Sequence, residues 1–302
     1  MTNNNILNYT IQENGKTVKG IMMENLNFSR RLSKRLELND KLFVNGKTTR
    51  LNRGVFTGDT LSIEFDEEED EYNAVNIPID IVYEDNDLLV VNKPPYIVVH
   101  PTKSHQDNTI ANGVAYYFKQ QDIQRKVRLV NRLDMNTSGI VIIAKHPYAH
   151  NELANQMKEN SVDKYYYAVV EGSVKEDKGT INEPIARLNP DDILRVVHPT
   201  GKECITHYTV EKRYNNMTLV KLKLETGRTH QIRVHMKHLG HPILGDTLYG
   251  NESELINRQA LHCYEMKFTQ PLTGKEIVVT CPLPDDITRC IYHPLLYVAG
   301  TF

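Results

Sequence analysis

Cysteine is scarce and falls into no pattern. Cys204, Cys263, Cys281 and Cys290 form neither a CxxC pair nor a zinc spacing, so a reduced, cytoplasmic compartment is expected. Gly (16) and Pro (13) are not in excess, which excludes collagenous, low-complexity and disordered chains. Long apolar runs are also missing. Stretches such as residues 140–144 are far short of the roughly 18 residues that cross a bilayer, and no membrane partner is expected. The opening MTNNN has no basic segment followed by an apolar one, so no secretory leader is expected either. No internal repeat is visible.

A net charge of -2 over 302 residues hides an uneven distribution. Residues 1–63 carry ten Lys/Arg against five Asp/Glu, residues 64–71 (EFDEEEDE) carry seven acids and no base, and the remainder is balanced at 26 of each. The length suits two domains. A basic module (1–63), an acidic linker (64–76) that repels itself and buries no core, and a large neutral module (77–302) are therefore predicted. A basic block commonly marks an anionic partner, nucleic acid first.

Within the basic module, SRRLSKRLE (29–37) puts Leu32 and Leu36 on one helical face, with Arg30, Arg31, Lys34 and Arg35 largely elsewhere. Asn45-Gly46 and Gly58-Asp59 are turn signals, and residues 60–63 alternate as a strand does. Taken alone, the cationic face reads as solvated surface more readily than as an RNA contact. The large module mixes strand-length apolar runs (88–91, 97–99, 140–144, 165–170) with a half-buried alternation through Val220, Leu222 and Leu224. Helical spacing appears at Ala149, Leu153 and Met157, and at Ile232, Met236 and Leu239 before Gly240. Strands outnumber helices without regular alternation, which predicts an α+β fold with a mixed, largely antiparallel sheet.

Three polar clusters stand out. NRLDMNTSG (131–139) sits between apolar runs, so Asp134 is either a cap for the turn or a catalytic carboxylate that needs a partner. TGRTHQIRVH (226–235) opens a helix and supplies Arg228 and Arg233, either of which is able to pair with a carboxylate. KYYYAVVEG (164–172) alternates, with Tyr166 and Ala168 on one face and Tyr165 and Tyr167 on the other, a pattern that core packing also explains.

Together these stretches resemble the RluA family of pseudouridine synthases. VNRLDMNTSGIVIIA (130–144) fits the RLD-x-x-TSG signature. KxYxAxVxG (164–172), GRTHQIRVH (227–235) and GHPILGDTLYG (240–250) follow in order. Residues 85–101 match the opening motif, and residues 202–206 resemble a further stretch. The resemblance spans residues 77–284. The helix, VNGK (44–47) and Gly58-Asp59 resemble an S4 RNA-binding domain in front of it. The family implies cleavage of the uridine N1–C1′ bond, rotation of the base and rejoining through C5, with no metal or organic cofactor. It places the catalytic aspartate at Asp134, the active-site arginine at Arg233 (Arg228 being the alternative) and the tyrosine at Tyr166. Arg132 falls where the family has a residue that enters the space vacated in the RNA, and Arg228 and Ile232 join it as substrate contacts. Whether the carboxylate attacks C1′ or removes a ribose proton stays open.

The implied partner is RNA, ribosomal ahead of transfer RNA, acted on by a monomer, and Arg30, Arg31, Lys34 and Arg35 become candidate RNA contacts. Three positions depart from the pattern: Asn131 where His is frequent, Tyr96 where Gly is frequent, and Cys204 where Ala is frequent. Two rival readings remain. One is a metal site built from His230, His235, His238 and His241, which lacks an HExxH motif. The other is a non-catalytic RNA-binding protein.

Overall fold

Strand Thr60–Glu64 shows how the basic module folds. Its alternation buries Leu61 and Ile63 and places it between Ile6–Thr10 and Leu42–Val44, with Lys47–Thr48 beyond. This comes from a computed structural model that describes residues 6–66, 70–102, 105–189 and 192–292. Asn45 and Gly46 both take positive φ (51° and 75°), as a two-residue type I′ hairpin requires. Helix Arg30–Leu38 starts at Ser29, whose Oγ accepts the Leu32 N–H at 3.2 Å. Leu36 is buried, Leu32 is partly buried, and Arg30, Arg31, Lys34 and Arg35 are exposed. Lys34, however, pairs with Glu37 at 2.7 Å.

The stretch expected to be a linker is partly built into the structure. Glu64 ends a strand, and Phe65 is buried, stacked on Phe28 and on His146. Phe28 in turn stacks on Tyr148 of the large module at 5.4 Å. Asp70 accepts the backbone N–H groups of Tyr72 and Val127. One aromatic side chain in an acidic run is enough to anchor it.

The large module is organised by one sheet in the order Lys178–Asn182, Ile205–Arg213, Met217–Leu224, Asp163–Glu171, Leu261–Thr269, Ser138–Ala144, Leu88–Lys93, Asp80–Glu84. Glu276–Thr280 and Arg128–Leu129 pair off this path. The expected mixed, largely antiparallel sheet is present, and the pairing of Ser138–Ala144 with Leu261–Thr269 is parallel. Gly139 makes that contact feasible: at φ 116°, a Cβ on it would lie 2.1 Å from the Cys263 carbonyl oxygen. Ser138–Ala144 is buried throughout, so its apolar run reads as a central strand.

Helix Pro147–Lys158 buries Ala149 and Leu153, and helix Gln231–His238 buries Ile232 and Met236. Residues 97–99, apolar and of strand length, form no strand. Val98 makes an isolated bridge to Thr109, because the chain there is a turn covering the core. Helices Ile110–Gln120 and Asp285–Tyr292 carry no motif and were not expected.

Candidate active site

The polar turn between Arg128–Leu129 and Ser138–Ala144 is held from several sides. Its own chain closes it, with Thr137 N–H donating to the Asp134 carbonyl at 3.0 Å. Asn131 takes the place of a strand pair: its Nδ2 donates to Ile140 O and its Oδ1 accepts from Ile142 N–H. Two buried cations hold the remaining carbonyls. Lys93 Nζ donates to Met135 O at 2.9 Å, and Arg258 Nη1 to Asn136 O at 3.0 Å. Burial pushes the Lys93 ammonium down to about 7; Arg258 adds to that push and Asp134 opposes it. Arg258 is itself fixed by a two-point pair to Asp286 on helix Asp285–Tyr292.

The partner of Asp134 arrives from helix Gln231–His238. The loop into that helix is tied down by Gln231, whose Oε1 accepts from Thr226 Oγ1 and Arg228 N–H. His230 takes the left-handed backbone (φ 60°) at the helix start. One turn in, Arg233 donates Nη1 to Asp134 Oδ2 at 3.2 Å. It also donates Nε and Nη2 to the two oxygens of Asp246, at 2.7 and 2.8 Å. Burial disfavours the guanidinium charge, but Asp246, and then Asp134, hold it more firmly than usual. Arg233 is thus a buried bridge between two carboxylates, in the planar two-point geometry that arginine favours.

Arg228 takes no part in this bridge. Its Nε reaches Glu203 O at 3.4 Å, so of the two arginines Arg233 is the one on Asp134. His230 also faces the carboxylate, with Nε2 at 3.8 Å and Nδ1 on the Tyr249 hydroxyl at 2.8 Å. Burial lowers its pKa, against the pull of Asp134.

Tyr166 approaches along Asp163–Glu171, where the register with Leu261–Thr269 slips by one residue between Tyr165 and Tyr166. The slip seats Tyr166 opposite Cys263, and the ring is 8% exposed. Burial first, and then Cys263 and Asp134, raise its hydroxyl pKa well above the usual value, so at neutral pH the phenol is protonated. Tyr165 and Tyr167 point to the other face and pack on Tyr264.

Arg132, Asp134, Tyr166, Arg228, Ile232 and Arg233 line one pocket. It opens into a groove of about 560 Å³ where Lys158 and Lys164 join the arginines. Arg30, Arg31, Lys34 and Arg35 lie outside it, on the helix of the basic module. Two of the four clustered histidines are engaged elsewhere: His235 binds Thr206 Oγ1 and Glu183 O, and His241 binds Glu171 O. Among the described residues, no three His, Cys, Asp or Glu side chains converge as metal ligands would.

Sequence alone gives no role to Asp246 and offers His230 only as a ligand in the rival metal-site reading, although both lie inside quoted motifs. Asp246 is an isolated acid in a turn, and no periodicity marks a residue whose partner is reached through space.

Known proteins share the chain's sequence and fold. A family model described as RNA pseudouridylate synthase matches residues 87–238. The chain is 43% identical over 253 residues to an uncharacterized RNA pseudouridine synthase, YjbO, of Bacillus subtilis, covering 83% of this chain and 89% of the relative. It is 37% identical to the ribosomal large subunit pseudouridine synthase D of Haemophilus ducreyi, over 84% of this chain and 82% of that protein. Among solved structures, human RNA pseudouridylate synthase domain containing 1 superposes with a TM-score of 0.58 at 29% identity, covering 68% of this chain and 83% of the other.

Proposed function

Because the chain belongs to the RNA pseudouridylate synthase family and isomerises uridine in RNA, we propose that Asp134 is its catalytic carboxylate, oriented by Arg233. The observation that carries this reading is the Arg233 bridge. A buried guanidinium fixed at two points by Asp246 presents its remaining edge to Asp134, at the side of a pocket that Tyr166 also lines. A carboxylate at this point serves both routes, attack on C1′ or removal of a ribose proton.

Bonds and protons balance within one nucleoside: N1–C1′ breaks, C5–C1′ forms, and the proton lost from C5 is matched by one gained at N1. Tyr166 supplies a ring for the uracil to stack on. Its protonated hydroxyl relays the C5 proton, directly or through water, rather than storing charge. The uridine must leave its stack to reach the pocket, at a cost of about a few kcal/mol. Exposed Arg132 at the rim fills the vacated space, with Arg228 and Ile232 as further substrate contacts.

The substrate we infer is large-subunit ribosomal RNA, with transfer RNA as the second choice. The name of the Haemophilus ducreyi relative supports it, as does a basic N-terminal unit with a solvent-facing cationic helix. We assign that unit, residues 1–63, as an S4-like RNA-binding domain, with residues 64–76 as connection and 77–302 as the catalytic domain of a cytoplasmic monomer. The test is tritium release from ribosomal RNA transcribed with C5-tritiated uridine. Purified protein is expected to release the label at discrete sites, and no release from ribosomal or transfer RNA would refute the assignment.

A further inference from the structure

Residues 94–97 (PPYI) make a tight turn in which Tyr96 sits at φ 66°. Glycine enters that region freely, whereas a side chain with a Cβ enters it at a cost. The strain is not repaid inside the protein. Tyr96 is 55% exposed, and among the described residues its ring stacks on none and its hydroxyl has no partner. Strained positions of this kind concentrate at functional sites.

The location of the turn is equally specific. Lys93 Nζ donates to Pro94 O, to Ile97 O and to Met135 O, each at 2.9 Å. One buried ammonium therefore clamps both ends of the Tyr96 turn to the residue that follows Asp134. Beside it the surface is apolar and cationic. Met135 is 37% exposed and Arg132 is exposed, and Arg132 lies near enough to help burial lower the pKa of His100 on the same loop.

We propose that Tyr96 is an RNA-stacking residue: its ring receives an unstacked base neighbouring the uridine that enters the Asp134 pocket. The inference rests on the reading of this pocket as a uridine isomerase site. Pulling one nucleotide out of a stack leaves its neighbours with bare faces, and an exposed aromatic ring at the rim is the surface that covers such a face. The backbone that carries the ring is fixed in place by the Lys93 clamp, so little backbone freedom is lost on binding. The cations around the groove, Arg132, Arg228, Lys158 and Lys164, select a polyanion as the occupant.

Two variants test this on unmodified large-subunit ribosomal RNA transcribed in vitro. Tyr96→Gly removes both ring and strain. Its thermal stability should equal or exceed that of the parent, while RNA affinity weakens by about fivefold to a hundredfold, as loss of one base stack implies, with the loss falling on KM rather than kcat. A ring needed for folding would instead lower stability. The natural chain has 16 tyrosines but no tryptophan, so Tyr96→Trp introduces a sole indole, excited selectively at the red edge of protein absorption, whose emission should be quenched in step with RNA binding. Unchanged affinity in Tyr96→Gly, or unmoved emission in Tyr96→Trp at saturating RNA, would overturn the proposal. A parent protein that converts no uridine in ribosomal or transfer RNA would instead remove the underlying reading, and this inference with it.

Discussion

Arg233 spends two of its three hydrogen bonds to carboxylates on Asp246 and one on Asp134. That division makes Asp246 the residue that aims the guanidinium. Asp246→Asn keeps size and shape but leaves a buried arginine short of a countercharge, and breaking such a pair costs about 3–5 kcal/mol. Chemical denaturation should show that loss, and the single-turnover rate should fall with it; wild-type stability would show that Asp134 alone suffices as a partner. Tyr166→Phe separates packing from chemistry, because Phe fills the same space. The variant should fold and bind RNA, yet convert bound uridine about 10²–10⁴-fold more slowly, whereas Tyr165→Phe and Tyr167→Phe, on the opposite face, should be mild. Tritium release under single-turnover conditions compares all three. Asp134, Tyr166 and Arg233 were legible in the sequence because each sits in a dense motif. The choice between Arg228 and Arg233 was not, since it depends on which arginine lies one turn into the helix and which lies in the loop before it.

At the level of elements, helix Arg30–Leu38 was readable from its spacing, but its charge was not. Lys34 is engaged with Glu37, leaving Arg30, Arg31 and Arg35 as the freer cations. Each lost phosphate contact flattens the log–log salt dependence of RNA binding by about 0.7–0.9. Arg31→Ala and Arg35→Ala should therefore flatten it more than Lys34→Ala, and equal or absent changes would mark the helix as solvated surface. Ser138–Ala144 is the element on which the active-site turn depends. Gly139→Ala would force a methyl group against Cys263 O, so it should destabilise the protein by more than about 2 kcal/mol and reduce activity in proportion to the unfolded fraction. The run at 97–99 misled because a short apolar stretch covering a core has the same composition as a buried strand.

Across the whole molecule, the two cores meet at the stack of Phe28 on Tyr148 and of Phe65 on His146. No sequence period announces this contact, because its members come from two modules. The large core also carries a built-in acid limit. His262 accepts from or donates to Ser138 Oγ at 3.0 Å, and burial first, with Arg258 opposing the charge, lowers its pKa to about 4. The unfolded chain takes up this proton near pH 6.5 and the folded chain only near pH 4. Stability is therefore full above pH 6.5 and falls as the pH drops toward 4, by roughly 3 kcal/mol for this group. Denaturation at pH 7 and pH 4.5 should show the loss, and His262→Gln should reduce the slope.

The reaction assigned to the carboxylate of Asp134, aimed by the Arg233–Asp246 pair, is the conversion of uridine to pseudouridine in RNA. This assignment is tested most directly by site-resolved pseudouridine mapping of ribosomal and transfer RNA from cells lacking this gene, complemented with the wild-type chain or with Asp134→Asn. Defined large-subunit ribosomal RNA positions should lose pseudouridine in the deletion, regain it with the wild type and stay unmodified with Asp134→Asn. Restoration by Asp134→Asn, or no position lost in the deletion, would contradict it.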